Sequence, residues 1–336
     1  MKTSVIDLSQ ERSTAELMQA LSAAFTQEEP SLVIVSTSGS SGITKRVQLS
    51  TKAIAISAQL SNSAVGAVPG DIWSLLLPID HIAGLNVLAR AIQLGSEIVD
   101  ENERADFTAI VPTQLHRALN GDSHLLKHLQ NCKAVLVGGA AIGMTILESA
   151  RRQGINVITT YGMTETSGGC VYNNIPLPGI SLALSESGLI KIKGAVIAMG
   201  YENQEALWAE KFVDGWFLTS DLGEIHGDEV FVIGRADDVI ISGGINISLI
   251  AIENELAANY PEINFLATSI PDPEWGDKLC LISDQKLDWI KISDILENNL
   301  GREFVPKKFL CVDEIPKLGI GKPDRVKAAE LFQNKQ

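Results

Sequence analysis

Residues 32–50 read LVIVSTSGSSGITKRVQLS: an apolar, β-branched run, a glycine- and hydroxyl-rich loop, then a second alternating run. In a P-loop nucleotide-binding protein the loop enters a helix directly and its lysine precedes Ser or Thr. Here Lys45 precedes Arg46, and Val47 and Leu49 alternate with polar residues, which predicts a strand. The stretch therefore predicts a strand–loop–strand hairpin whose backbone N–H groups form an anion nest. Its glycines permit close backbone approach. Its hydroxyls donate to phosphate oxygens, and Lys45 adds a charge able to reach a β- or γ-phosphate. The competing reading is a solvated Ser/Gly linker, but a linker would rarely sit between two apolar strands.

Working outward, 14–25 (TAELMQALSAAF) predicts a helix with Leu17, Leu21 and Phe25 on one face. Ser50 or Thr51 can cap a helix running to about residue 64. The stretches 71–79 (DIWSLLLPI), 107–112, 133–139 and 156–162 predict strands. Helical stretches GLNVLARAIQLG, PTQLHRALNG and GMTILESARRQG lie between them. This alternation predicts an α/β fold with a mostly parallel sheet covered on both faces. From about 177 to 233, short glycine-divided strands predict a β-rich subdomain. A small α+β module follows, opening with a helix in 247–260 whose Ile250 and Leu256 share a face. The polar stretch GRADD marks the boundary, giving domains 1–236 and 237–336.

The chain has 336 residues, 45% of them hydrophobic, enough for sizeable cores. Its 27 basic and 41 acidic residues give a net charge of −14. That argues against nucleic acid and against an anionic membrane surface. No apolar run is long enough to insert in a bilayer. The N-terminus lacks the apolar core of a signal peptide. The four cysteines form no CxxC pair, so reduced thiols and a cytoplasmic setting are expected.

Three further segments carry candidate chemistry. In TTYGMTETSGG (159–169), at a strand C-terminus, Tyr161 offers a flat face for a purine, Thr164 a hydroxyl, and Glu165 a hard oxygen for Mg²⁺. The plainer reading is a polar turn. In FLTSDLGEI (217–225) and VIGRADDVIISGGINIS (232–248), Asp221 could accept from ribose hydroxyls and Arg235 could reinforce it, although either alone reads as half of a surface salt bridge. In EIPKLGIGKPDR (314–325), Lys322 alone reads as a solvated lysine.

Taken together and in this order, these segments resemble the adenylate-forming superfamily of acyl-CoA synthetases, peptide-synthetase adenylation domains and luciferases. The resemblance runs from Val33 to Arg325. It implies that Thr37, Ser38, Gly39, Ser40, Ser41, Gly42 and Lys45 hold phosphate. Gly138, Gly139 and Ala140 line the adenine and acyl pocket, with Tyr161 and Gly162 beside adenine. Thr164 contacts the α-phosphate, Glu165 binds Mg²⁺, and Asp221 and Arg235 bind ribose. Asp237 is the hinge and Lys322 the catalytic lysine. Departures include Arg46 in place of a common glycine, Ser220 before Asp221, and a short N-terminal region.

Residues 77–99 (LPIDHIAGLNVLARAIQLGSEIV) resemble the short o-succinylbenzoate–CoA ligases of menaquinone synthesis. This implies adenylation of an aryl carboxylic acid with ATP, then thioester formation with CoA. His81, Ser167 and Arg90 are the candidates for the acyl substrate's second carboxylate. Arg90 reads more simply as a helix-surface residue. A CoA ligase for another acid and a non-catalytic binding relative stay open, as does a homodimer.

Overall fold

The computed structural model describes residues 5–38, 44–317 and 323–333. They fall into two compact units: residues 1–219 with 223–231, and residues 220–222 with 232–336. No helix among the described residues is long and apolar enough to cross a membrane.

The first unit opens with β1 (Val5–Asp7) and α1 (Thr14–Phe25). Ser13 caps α1 reciprocally with Glu16. Then β2 (Leu32–Ser38) and β3 (Thr44–Ser50) pair antiparallel, Thr37 opposite Lys45, as the predicted hairpin. Ser50 caps α2 (Thr51–Val65) by accepting from the Ala53 N–H, and Gly66 ends it in the left-handed region. The apolar alternation of β2 and β3 buries Val33, Val35, Val47 and Leu49 against Leu17, Leu21 and Ile54.

The predicted strand 71–79 is realised only as β4 (Trp73–Ser74). Leu75 still donates its N–H to the Val99 carbonyl at 2.9 Å, Leu76 and Leu77 turn into the cores, and the chain turns at Pro78 into α3 (Ile82–Leu94). Gly84 makes that turn possible: a Cβ there would sit 2.1 Å from the Pro78 carbonyl oxygen. There follow β5 (Ile98–Val99), β6 (Phe107–Ile110), α4 (Pro112–Leu119), α5 (Ser123–Asn131), β7 (Ala134–Val137), α6 (Met144–Arg152), β8 (Val157–Met163), β9 (Gly168–Tyr172) and β10 (Ile175–Pro176). The sheet order is β10-β9-β8-β7-β6-β4-β5. From β5 to β8 it is parallel; β9 and β10 run antiparallel. This is the α/β sheet expected from the alternation, with the unforeseen α5 burying Leu125, His128 and Leu129.

Next come β11 (Ser181–Leu184), β12 (Leu189–Lys193), β13 (Gly200–Tyr201), α7 (Glu205–Lys211), β14 (Phe212–Val213), β15 (Trp216–His226) and β16 (Glu229–Arg235). All but β13 and α7 form the β-rich sheet; β13 instead pairs antiparallel with β3. The second unit has β17 (Val239–Ser242), β18 (Ile245–Ser248), α8 (Leu249–Asn259), β19 (Phe265–Asp272), β20 (Gly276–Ser283), α9 (Trp289–Asn299), β21 (Lys308–Cys311) and α10 (Arg325–Gln333). In α8 the buried face is Leu249, Ile252 and Leu256, not Ile250.

Candidate active site

The stem of the hydroxyl-rich loop is the β2–β3 hairpin. Gly39, Ser40, Ser41 and Gly42 lie outside the described residues, as does the side chain of Ser38. Thr37 and Lys45 stand opposite each other at the stem's end. Pairing of β13 with β3 sets Tyr201 across from Val47. The Lys45 Nζ thereby lies 5.1 Å from the centroid of the Tyr201 ring. Arg46, the departure from the family pattern, donates through Nη2 to Asp7 Oδ2 at 2.8 Å and through Nε to Glu202. The stem is thus tied to β1 and to the residue after β13. The Arg46 hydrogen bond holds the Asp7 carboxyl at about 2, against the partial desolvation that opposes it.

The second part is built at the C-terminal end of β8. Gly162 is required there, because a Cβ would meet the Gly168 carbonyl oxygen at 2.1 Å. Thr164–Thr166 form a 3₁₀ turn, and Ser167 (φ 51°) and Gly168 (φ 98°) reverse the chain into β9. The Thr166 hydroxyl accepts from the Met163 N–H at 2.9 Å. The Ser167 carbonyl accepts from Ser57 Oγ on α2 (2.9 Å) and from Asn86 Nδ2 on α3 (2.8 Å). Two helices therefore clamp the turn that carries Thr164 and Glu165.

Glu165 is fixed at both ends. Its carbonyl accepts from the Ala198 N–H at 2.8 Å, and its Oε1 accepts from the Tyr201 hydroxyl at 2.7 Å. Burial, and then the adjacent Glu165 carboxylate, push the Tyr201 phenol above its ordinary range, so it stays a neutral donor. No cluster of three or more His, Cys, Asp or Glu able to hold a metal occurs among the described residues. One hard carboxylate without a protein cage does not suit Zn²⁺. It suits Mg²⁺, which binds through one or two carboxylates and takes its other ligands from phosphates and water.

The remaining expected residues fall as follows. Tyr161 is half-buried on β8, beside a register shift at Tyr161/Gly162. Gly138, Gly139 and Ala140 follow the end of the neighbouring strand β7, with Gly139 and Ala140 exposed. The sheet brings both segments to one edge, where open α/β sheets bind ligands. His81 is the N-cap of α3, its side chain exposed and making no cap hydrogen bond.

Arg90 corrects the surface reading: it is 6% exposed, with its guanidinium carbon 4.9 Å from the centroid of the Trp73 ring. Ser167 is corrected too. It is fully buried and its Oγ donates to the Val196 carbonyl at 2.7 Å, so its hydroxyl proton is committed to the turn rather than to a substrate. In the second unit, Arg235 Nη1 lies 3.9 Å from Oδ1 of the buried Asp221. Asp237 falls in the 3₁₀ turn Ala236–Asp238, its side chain outside the described residues, as is Lys322. Sequence reasoning missed Ser57, Asn86 and Tyr201, which hold the turn. A serine, an asparagine and a tyrosine far apart in sequence carry no pattern that would have flagged them.

Comparison with known proteins fits this geometry. The family model described as AMP-binding enzyme matches residues 3–191. A probable 2-succinylbenzoate–CoA ligase of Mycobacterium tuberculosis (strain H37Rv) is 33% identical over 329 residues, covering 89% of this chain and 84% of that protein. The 2-succinylbenzoate–CoA ligase of Escherichia coli (strain K12) is 28% identical, covering 89% of this chain and 69% of that protein. The structure of o-succinylbenzoate CoA synthetase from Bacillus subtilis, in complex with its acyl-adenylate intermediate, superposes with a TM-score of 0.79 at 25% identity. That match covers 88% of this chain and 68% of that one. A hydrophilic hairpin loop, a carboxylate at the end of a parallel strand and a match over more than half the chain agree: the chain belongs to the AMP-binding enzyme family.

Proposed function

We propose that this chain is a 2-succinylbenzoate–CoA ligase. Arg90 carries the reading. It is buried, and its Nε and Nη1 have no hydrogen-bond partner among the described residues. A buried cation without an anion is costly, and a carboxylate is the group that relieves it through paired charge-assisted hydrogen bonds. The relatives are named for an acid with two carboxylates: one reacts, and the other supplies the missing partner. The exposed His81, nine residues upstream of Arg90, completes the proposed acyl contacts; Ser167 is left out of them.

In the first half-reaction a carboxylate oxygen attacks the α-phosphorus of ATP, the bond to pyrophosphate breaks, and an acyl-adenylate forms. Lys322 offsets the charge gathered between carboxylate and α-phosphate, and Thr164 donates to an α-phosphate oxygen. Lys45, Thr37 and the Ser38–Gly42 loop hold the departing phosphates. Glu165 would hold Mg²⁺, which when bound would supply Lewis-acid neutralisation of phosphate charge. In the second half-reaction the CoA sulfur attacks the acyl carbon and the bond to AMP breaks. Tyr161, Gly162 and Gly138–Ala140 face adenine and the acyl group, Asp221 and Arg235 hold ribose, and Asp237 is the hinge that exchanges Lys322 for the thiol. The setting is the cytoplasm.

Pyrophosphate release with ATP, Mg²⁺ and a panel of acids tests this. 2-Succinylbenzoate should support turnover and benzoate, which lacks the second carboxylate, should not. Arg90→Met should lower kcat/KM for 2-succinylbenzoate about a hundredfold without lowering the melting temperature, because it removes an uncompensated buried charge. Equal turnover of benzoate, or an unchanged kcat/KM in R90M, overturns the reading.

A further inference from the structure

We propose that Tyr201 is the positioning residue of the metal site: it fixes the plane of the Glu165 carboxylate and so selects the oxygen offered to Mg²⁺. The proposal rests on the ligase reading above and on Glu165 as the Mg²⁺ ligand. A cation held by a single protein carboxylate has no second protein ligand to define its place, so the outer hydrogen bond to that carboxylate does the orienting. Tyr201 supplies it. Its hydroxyl donates to Glu165 Oε1 at 2.7 Å, which leaves Oε2 for the cation.

The tyrosine is itself rigid. Its backbone is in register with Val47 of β3, it is 3% exposed, and its ring meets Trp208 edge-on with centroids 5.2 Å apart. The Glu165 backbone is pinned from the same segment, because Ala198, two residues before β13, donates to its carbonyl. A phenylalanine would fill this site as well. What tyrosine adds is the donor, aimed at the one carboxylate assigned to the metal.

The Lys45 ammonium lies 5.1 Å from the centroid of the same ring. A cation over the π-face draws electron density from the ring and strengthens the O–H as a donor. The phosphate-loop lysine and the metal ligand are therefore set against each other by one side chain. A phosphate-bound Mg²⁺ would meet Glu165 and Lys45 together, with Tyr201 as the spacer between them.

The test uses Mn²⁺ as the probe. Free Mn²⁺ is followed by electron paramagnetic resonance as it is titrated into the full chain with a non-hydrolysable α,β-methylene ATP analogue. Tyr201→Phe keeps the ring and its packing and should weaken Mn²⁺ binding about tenfold. Glu165→Gln should weaken it at least as much. In turnover, Y201F should need about tenfold more Mg²⁺ for half-activation and should regain wild-type kcat at saturating Mg²⁺. A role in folding alone would lower kcat at every Mg²⁺ concentration. If E165Q binds Mn²⁺ as wild type does, Glu165 is not the ligand and the premise falls. If E165Q weakens binding and Y201F does not, or if Mg²⁺ fails to restore kcat, the assignment of Tyr201 is overturned.

Discussion

Replacing Arg46 by methionine isolates what ties the β2–β3 stem of the hydroxyl-rich loop to the rest of the first unit. Methionine keeps the aliphatic stem and removes the bonds to Asp7 on β1 and to Glu202. The magnitude follows from Asp7, whose carboxyl drops from 3.8 to about 2, chiefly through Arg46. Linkage converts that difference to about 2.4 kcal/mol as a ceiling. Arg46 is 32% and Asp7 18% exposed along their side chains, so solvent screening reduces it to about 1 kcal/mol. In a unit of this size that is a fall of roughly 2–4 °C in melting temperature at pH 7. The sign with pH is fixed. A carboxyl with a depressed folded-state pKa stabilises above its unfolded pKa and loses that contribution as pH falls through the folded one. The R46M deficit should thus be complete above about pH 5 and fall to about half at pH 3. Scanning calorimetry of wild type, R46M, Asp7→Asn and the double variant at both pH values measures it. A deficit that is the same at pH 3 and pH 7, or that is as large in the D7N background as in wild type, would refute the reasoning.

Two further outcomes are expected. Lys322→Ala should abolish pyrophosphate release yet form thioester from a supplied acyl-adenylate, and equal loss of both half-reactions would remove the lysine from its assigned role. Gly162→Ala should cost about 1–3 kcal/mol, because its methyl collides with the Gly168 carbonyl across the β8–β9 pair; a melting temperature equal to wild type would show that the pair can open without penalty.

What was legible in the sequence was local. The β2–β3 hairpin, α1 and the Ser50-capped α2 follow from alternation, helical spacing and caps within a few residues. The strand predicted over 71–79 is cut short because Leu76 and Leu77 are apolar for packing into the cores, and apolarity alone does not distinguish that from pairing in a sheet. Arg90 failed similarly. An arginine in a helical pattern is normally at the surface, and only the three-dimensional packing of α3 against Trp73 reveals that it is buried. The TET turn was legible as a motif, but its supports were not. Ser57 reaches the turn across 110 residues, Asn86 across 81, and Tyr201 across 36. Each such contact is one side chain meeting one acceptor, with no period to read.

Charge gives the same lesson in another form. In a chain of net charge −14, several cations among the described residues are already neutralised by carboxylates. Arg46 is bridged by Asp7 and Glu202, Lys133 by Asp71 and Asp106, and Arg325 by Asp238 and Glu253. Each of these cations faces two carboxylates, which offset its charge. Lys45 and Arg90 each lie against the face of an aromatic ring with no ion pair to a carboxylate among the described residues. A ring stabilises a cation by position but does not cancel its charge, which is what the proposed phosphate and carboxylate roles of Lys45 and Arg90 require. Both rings belong to well-packed residues: Tyr201 and Trp73 are buried, and a fixed ring would hold a cation in place without competing for the anion assigned to it in the proposed function.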